Sequence, residues 1–255
     1  MRTAFALISA LLFATCFLGQ KKVPEPVGVQ APFAKSQQIV VVTTKDWDST
    51  KGTAQLFEKK TPYAAGWSSI GKKFPVVVGR SGLAWDSGQN WVSNARKIKK
   101  EGDGNAPAGM FPLVSAFGTS TKPVEVALPY TKLDQYTECV DDERSTFYNR
   151  IVNRMQVGNF DWKSSEKMLS VMPQYDRGIF VAYNSYPVRK GNGSCIFLHI
   201  WKDSNTATAG CTAMERSDLE RILTWLSPAK FPYLVQMTRD EYDKNRKSWK
   251  LPKLK

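Results

Sequence analysis

Gly191-Asn192-Gly193-Ser194-Cys195-Ile196-Phe197-Leu198-His199-Ile200-Trp201, followed closely by Thr206-Ala207-Thr208-Ala209-Gly210-Cys211-Thr212-Ala213-Met214, holds the chain's one histidine and two of its four cysteines. Cys195 to Trp201 is an unbroken apolar and aromatic run entered through glycines, the pattern of a buried strand with His199 near its end. The residues after it are small and polar, a loop by composition. That loop ends at Gly210, where the backbone can turn sharply before Cys211. The pattern presents a thiol opposite an imidazole.

Taken singly, each residue has a plain structural use, since a histidine in an apolar strand is commonly a core residue and a buried cysteine behaves as a small hydrophobe. Together they fit nucleophilic chemistry. The thiolate is the attacking species, and an imidazole beside the thiol can take its proton. Backbone N–H groups of Gly210 and Cys211 would then hold the oxyanion of a tetrahedral intermediate. These parts serve acyl transfer.

Around this centre the chain reads as one exported domain. Met1 to Gln20 carries Arg2 and then an apolar stretch from Ala4 to Phe17, the layout of a secretory signal and too short to span a bilayer. Phe13-Ala14-Thr15-Cys16 is an imperfect lipoprotein-type box, so lipid attachment at Cys16 and ordinary cleavage between Thr15 and Gln20 both stand. A periplasmic or cell-envelope location follows, with membrane contact only through the signal or a lipid. Lys21 to Ser36 is rich in Pro, Lys and Val and reads as a linker. The remainder, without repeats, is long enough for one core, and nothing argues against a monomer. The net charge of +13 favours polyanions. Without a helix-turn-helix, zinc-finger or RNA-binding signature, cell-wall polymers and lipid head groups fit better than nucleic acid.

The elements predicted are mainly strands. Gln38 to Thr44 is a β-branched run; Thr53 to Lys59, Trp67 to Ser69 and Phe74 to Gly79 follow as a meander, then Met110 to Val114. Gly178 to Asn184 is predicted to neighbour the His199 strand. Ser217-Asp218-Leu219-Glu220 has capping-box form, and Leu219, Ile222, Leu223 and Leu226 recur at helical spacing up to Ser227-Pro228. Pro232 to Met237 closes the domain as a strand, with Thr238 to Lys255 a basic, mobile tail. Asp141 and Asp142 would point to opposite sides of an extended chain, which suits turn bonding better than paired acid–base work.

The order His199, spacer, Thr208-Ala209-Gly210-Cys211 resembles the signature of the L,D-transpeptidase (YkuD-type) family: His, spacer, Ser/Thr-His-Gly-Cys. Here Ala209 replaces the second histidine and the spacer is shorter. Ala106-Pro107-Ala108-Gly109-Met110-Phe111 is similar to the family's Thr-Pro-x-Gly-x-Phe strand entry. Cys139-Val140-Asp141-Asp142, Tyr148-Asn149-Arg150 and Gly193 to Met214 resemble a divergent exported branch of the family, over about Gln38 to Met237. The resemblance implies a YkuD-like β-sandwich or open barrel with one or a few short helices, spanning residues 37–237. It implies a Cys211 nucleophile acting with His199 and Gly210 on peptidoglycan stem peptides, with no metal or organic cofactor. A backbone carbonyl such as that of Ile200 would orient His199. Substrate contacts would come from Thr208, Ile200, Trp201, Asn149 and Arg150, with Lys97, Lys99 and Lys100 facing the cleft.

The same resemblance places a disulfide between Cys139 and Cys195, leaving Cys211 free. A zinc held by three thiols and His199 is the competing account, although the spacings lack a Cys-x-x-Cys pair. Three functional readings remain open: transpeptidation, hydrolysis of the same acyl-enzyme as an L,D-carboxypeptidase or amidase, and wall binding without catalysis.

Overall fold

Ile39, Val40, Val41 and Val42 are essentially inaccessible to solvent, and the strand they form lies at the heart of the molecule. The computed structural model describes residues 33–88 and 97–254. The signal at 1–20, the linker as far as residue 32 and part of the basic stretch at 90–104 lie outside the described residues. In chain order the strands are β1 (Gln38–Thr44), β2 (Lys51–Glu58), β3 (Ser68–Val77), β4 (Leu83–Trp85), β5 (Ala106–Gly118), β6 (Tyr130–Lys132) and β7 (Thr137–Val140). They continue with β8 (Ile151–Asn153), β9 (Ser165–Lys167), β10 (Arg177–Val181), β11 (Phe197–Ile200), β12 (Thr212–Met214) and β13 (Tyr233–Thr238). Helix α1 (Arg216–Trp225) precedes β13, and α2 (Arg239–Asn245) follows it.

The pairings close on themselves. β1 lies antiparallel to β2 and parallel to β13; β13 pairs antiparallel with β5, and β5 with β10. β10 pairs antiparallel with β11, β11 parallel with β12, and β12 touches β3 through Ala213 and Val77. β3 returns to β2, completing a barrel of mixed strands. A closed sheet leaves no long open edge and needs few helices to cover it. The protein is accordingly mainly β, as its sequence pattern predicts.

A second sheet, β8-β7-β9, lies outside the barrel. It is tied to the entrance of β11 by a disulfide between Cys139, in β7, and Cys195. Cys211 is the free, buried cysteine among the described residues.

Five expectations are corrected. Trp67 to Ser69 and Phe74 to Gly79 are not two strands: β3 runs through both, because a bulge around Gly71, at φ 65°, lets the chain kink without ending the ladder. The strand predicted at Met110 to Val114 extends over Ala106–Gly118, since different parts of β5 serve β4, β13 and β10. The Ser217 to Glu220 capping box is not formed. The N-cap is Glu215, without a side-chain bond, and Arg216 begins the helix while paired to Asp176 at 2.5 Å. The basic tail from Thr238 is folded: α2 is capped by the Thr238 hydroxyl, which accepts the Glu241 N–H at 3.3 Å, and Tyr242, Leu251 and Leu254 enter the core. The folded unit therefore reaches Leu254 rather than Met237. At its other end it takes in Phe33, which the linker was expected to contain and whose ring packs against Tyr233.

Candidate active site

The parallel pairing of β11 with β12 sets the site. Leu198 lies opposite Thr212 and His199 opposite Ala213, so Cys211 enters β12 beside Phe197, whose N–H donates to Cys211 Sγ at 3.3 Å. His199 Nδ1 is 2.8 Å from the Ile200 carbonyl oxygen. Only a protonated Nδ1 can donate to that oxygen, which assigns the proton to Nδ1 and leaves Nε2 as an acceptor. The Tyr175 ring meets both His199 and Phe197 edge-on, with centroids 5.3 and 5.4 Å apart. His199 and Cys211 face one cleft of about 280 Å³, lined also by Glu166, Tyr175, Trp201 and Thr208.

Burial governs the charge states. It pushes the Cys211 thiol up to about 12, with the Glu166 carboxylate adding to the rise; the Phe197 N–H and the Tyr175 hydroxyl act the other way. Burial also lowers His199 to about 4, opposed by the bond to the Ile200 carbonyl. The resting pair is a neutral thiol with a neutral imidazole. Glu166 is raised to about 7, first by burial and then by the charges of Asp141 and Glu101, against the bond from the Tyr175 hydroxyl.

Several residues expected to bind substrate are used internally. The Thr208 hydroxyl accepts the Gly210 N–H at 3.1 Å and donates to the Cys211 carbonyl at 2.6 Å, so it closes the turn that leads into Cys211. That occupies the Gly210 N–H, while the Thr208 hydroxyl makes no use of the Cys211 N–H. Asn149 is buried: its amide donates to the Tyr183 and Asn184 carbonyls and accepts the Cys195 N–H at 2.9 Å. It thereby holds Cys195 at φ 55°, a backbone conformation costly for a non-glycine residue. Arg150 is half-buried and absent from the cleft lining. Ile200 contributes its carbonyl while its side chain joins the barrel core. Trp201 is the member of this group that lines the cleft without such an internal role.

Two of the three lysines are likewise engaged. Lys97 pairs with Asp48 and buried Lys99 with Asp103, both at 2.8 Å, and exposed Lys100 lines no part of the cleft. Asp142 accepts the Arg144 and Lys163 N–H groups and Asp141 the Ser164 hydroxyl, the turn bonding that adjacent aspartates favour. Five residues of the cleft lining escaped the sequence reading, and two of them, Tyr175 and Glu166, act electrostatically on the thiol. Tyr175 sits in a single 3-10 turn and Glu166 in the unremarkable Ser164-Ser165-Glu166-Lys167, so only the fold brings them to the thiol.

An imidazole on one strand of a closed mixed barrel and a thiol at the entrance to its neighbour form the class of site that supports cysteine acyl chemistry. Residues 49–236 match the sequence model of YkuD, the L,D-transpeptidase catalytic domain, and the chain belongs to that family. No curated protein matches the sequence.

Proposed function

We propose that this chain is an exported, cysteine-dependent L,D-transpeptidase that acts on peptidoglycan stem peptides through an acyl-enzyme at Cys211. The observation that carries the reading is the shared cleft. Cys211 and His199 face the same space, with His199 Nε2 left unprotonated by the bond its other nitrogen makes to Ile200.

Because thiol and imidazole are both neutral at rest, proton transfer accompanies attack. His199 Nε2 takes the Cys211 proton as Sγ adds to the carbonyl of an L-centre, and the Cys211 N–H is the donor offered to the oxyanion. As the intermediate collapses, the imidazolium returns that proton to the departing amine of the D-residue, leaving a thioester. An amine from a second stem then attacks the thioester, with His199 taking the proton from the amine and passing it to the thiolate. Water in the amine's place would yield the hydrolase products. Export agrees with a disulfide in the folded chain, which belongs to an oxidising compartment such as the periplasm or cell envelope.

The test is the intact mass of the protein after incubation with a carbapenem, an acylating agent. The wild type is expected to gain one adduct, Cys211→Ala none, and His199→Ala an adduct formed about a hundredfold more slowly, the usual size of a general-base contribution. An adduct surviving in Cys211→Ala would overturn the assignment. Incubation with stem peptides then separates cross-linked from hydrolysed products.

A further inference from the structure

Strand alternation singles out one acidic residue of the cleft. On β9, Ser165 and Lys167 both turn to Glu138, at 2.7 and 2.5 Å, so Glu166 between them points the other way, into the cleft that holds Cys211. Its Oε2 accepts the Tyr175 hydroxyl at 2.7 Å, and Tyr175 in turn packs on His199. No lysine or arginine among the described residues pairs with Glu166, in a chain of net charge +13. The charges that act on it are Asp141 and Glu101, both of its own sign. Cys211 lies within its field; Lys99, whose charge also reaches Cys211, is paired with Asp103. Lys202 also lines the cleft, without pairing to Glu166.

A partly buried carboxylate without a counter-charge is costly, and a cationic ligand relieves that cost. We propose that Glu166, fixed by Tyr175, is the cation-binding residue of this cleft and takes a primary ammonium group carried by the acyl donor. This rests on the acyl-transfer reading above and names the substrate chemistry it selects. It also links recognition to reactivity. The negative charge of Glu166 helps to hold Cys211 protonated, so a docked ammonium weakens that hold and makes the thiol easier to ionise. A neutral donor of the same shape leaves the thiol at rest.

The full chain can be tested by the protection of Cys211 from iodoacetamide with two peptides, acetyl-L-lysyl-D-alanine and the same peptide acetylated on its side-chain amine. The free amine is expected to protect at about tenfold lower concentration, the discrimination that one charge-assisted hydrogen bond supplies. Glu166→Gln keeps the shape and can still accept the Tyr175 hydroxyl; it should equalise the two peptides and, without peptide, raise the alkylation rate. Glu166→Asp retains the charge and should keep part of the preference. A preference unchanged in Glu166→Gln, or a wild type protected by both peptides equally or by neither, overturns the proposal. Carbapenem labelling is independent of these outcomes: an adduct without an amine preference leaves the acyl-transfer reading standing and removes only the cation site.

Discussion

Cys211 and His199 are neutral partners, and their reactivity should show it. A thiol held near about 12 is almost wholly protonated at neutral pH, and its thiolate fraction grows about tenfold per pH unit. Alkylation of Cys211 should therefore still be rising at about pH 10, with a slope below tenfold per unit only around pH 7, where Glu166 gains the charge that opposes the thiolate; levelling off by about pH 9 to 10 would show an ordinary or activated thiol instead. His199 also links the site to stability. Its folded value, about 4, lies below the reference 6.5, so its contribution is present above pH 6.5 and is lost as pH falls from there through 4. The size of that shift corresponds to about 3 kcal/mol. Urea midpoints across this range should fall more steeply in the wild type than in His199→Gln, and parallel profiles would refute the assignment. Glu166 acts in the opposite sense: raised to about 7, it favours the fold at low pH and loses that contribution as pH rises through 7.

At the scale of elements, the His199 strand depends on a glycine in its neighbour. Gly178 of β10 lies opposite both His199 of β11 and Phe117 of β5, and a Cβ there would fall 2.1 Å from the Phe117 ring. That ring packs edge-on against Phe197 and Tyr175, so it cannot retreat without disturbing the wall of the cleft. Gly178→Ala should cost about 1–3 kcal/mol, as overpacking does, and should slow carbapenem acylation although it touches neither thiol nor imidazole. A shifted denaturation midpoint with unchanged acylation would separate the two effects. The Gly178 strand was legible as a neighbour of the His199 strand because both are short and rich in apolar and aromatic residues, with a turn-rich link between them. Helix starts were less legible: Ser217-Asp218-Leu219-Glu220 has capping-box form but lies past the N-cap at Glu215, because Arg216 is drawn to Asp176. Thr238-Arg239-Asp240-Glu241 has the same spacing and does cap a helix, its hydroxyl accepting the Glu241 N–H. Local spacing alone could not choose between them; tertiary charge did.

For the whole molecule, sequence order and spatial order diverge most where the site is completed. The His199 to Cys211 segment was readable because both catalytic candidates belong to one continuous stretch, whereas Glu166 and Tyr175 arrive from the small sheet and a 3-10 turn through contacts that no spacing encodes. The chain end was misread for a related reason. Its lysines and arginines dominate the composition of Thr238 to Lys255, while the few apolar residues among them do the packing. Tyr242 is fully buried and its hydroxyl donates to the Pro252 carbonyl at 2.8 Å, bending the last residues back so that Leu251 and Leu254 meet the barrel core. Burying a leucine fully is worth about 1.5–3 kcal/mol, against a total stability of about 5–15 kcal/mol for a domain. Leu251→Ala should lower stability by about 2–4 kcal/mol, and a chain ending at Thr238 should lose its cooperative thermal transition. A mobile tail would behave differently: both variants would melt with the wild type, and a protease would trim the residues beyond Thr238 without affecting the rest. Limited proteolysis followed by thermal denaturation distinguishes these outcomes, and a packed terminus requires that trimming past Leu251 also destabilise β1 and β13, the strands on which α2 rests.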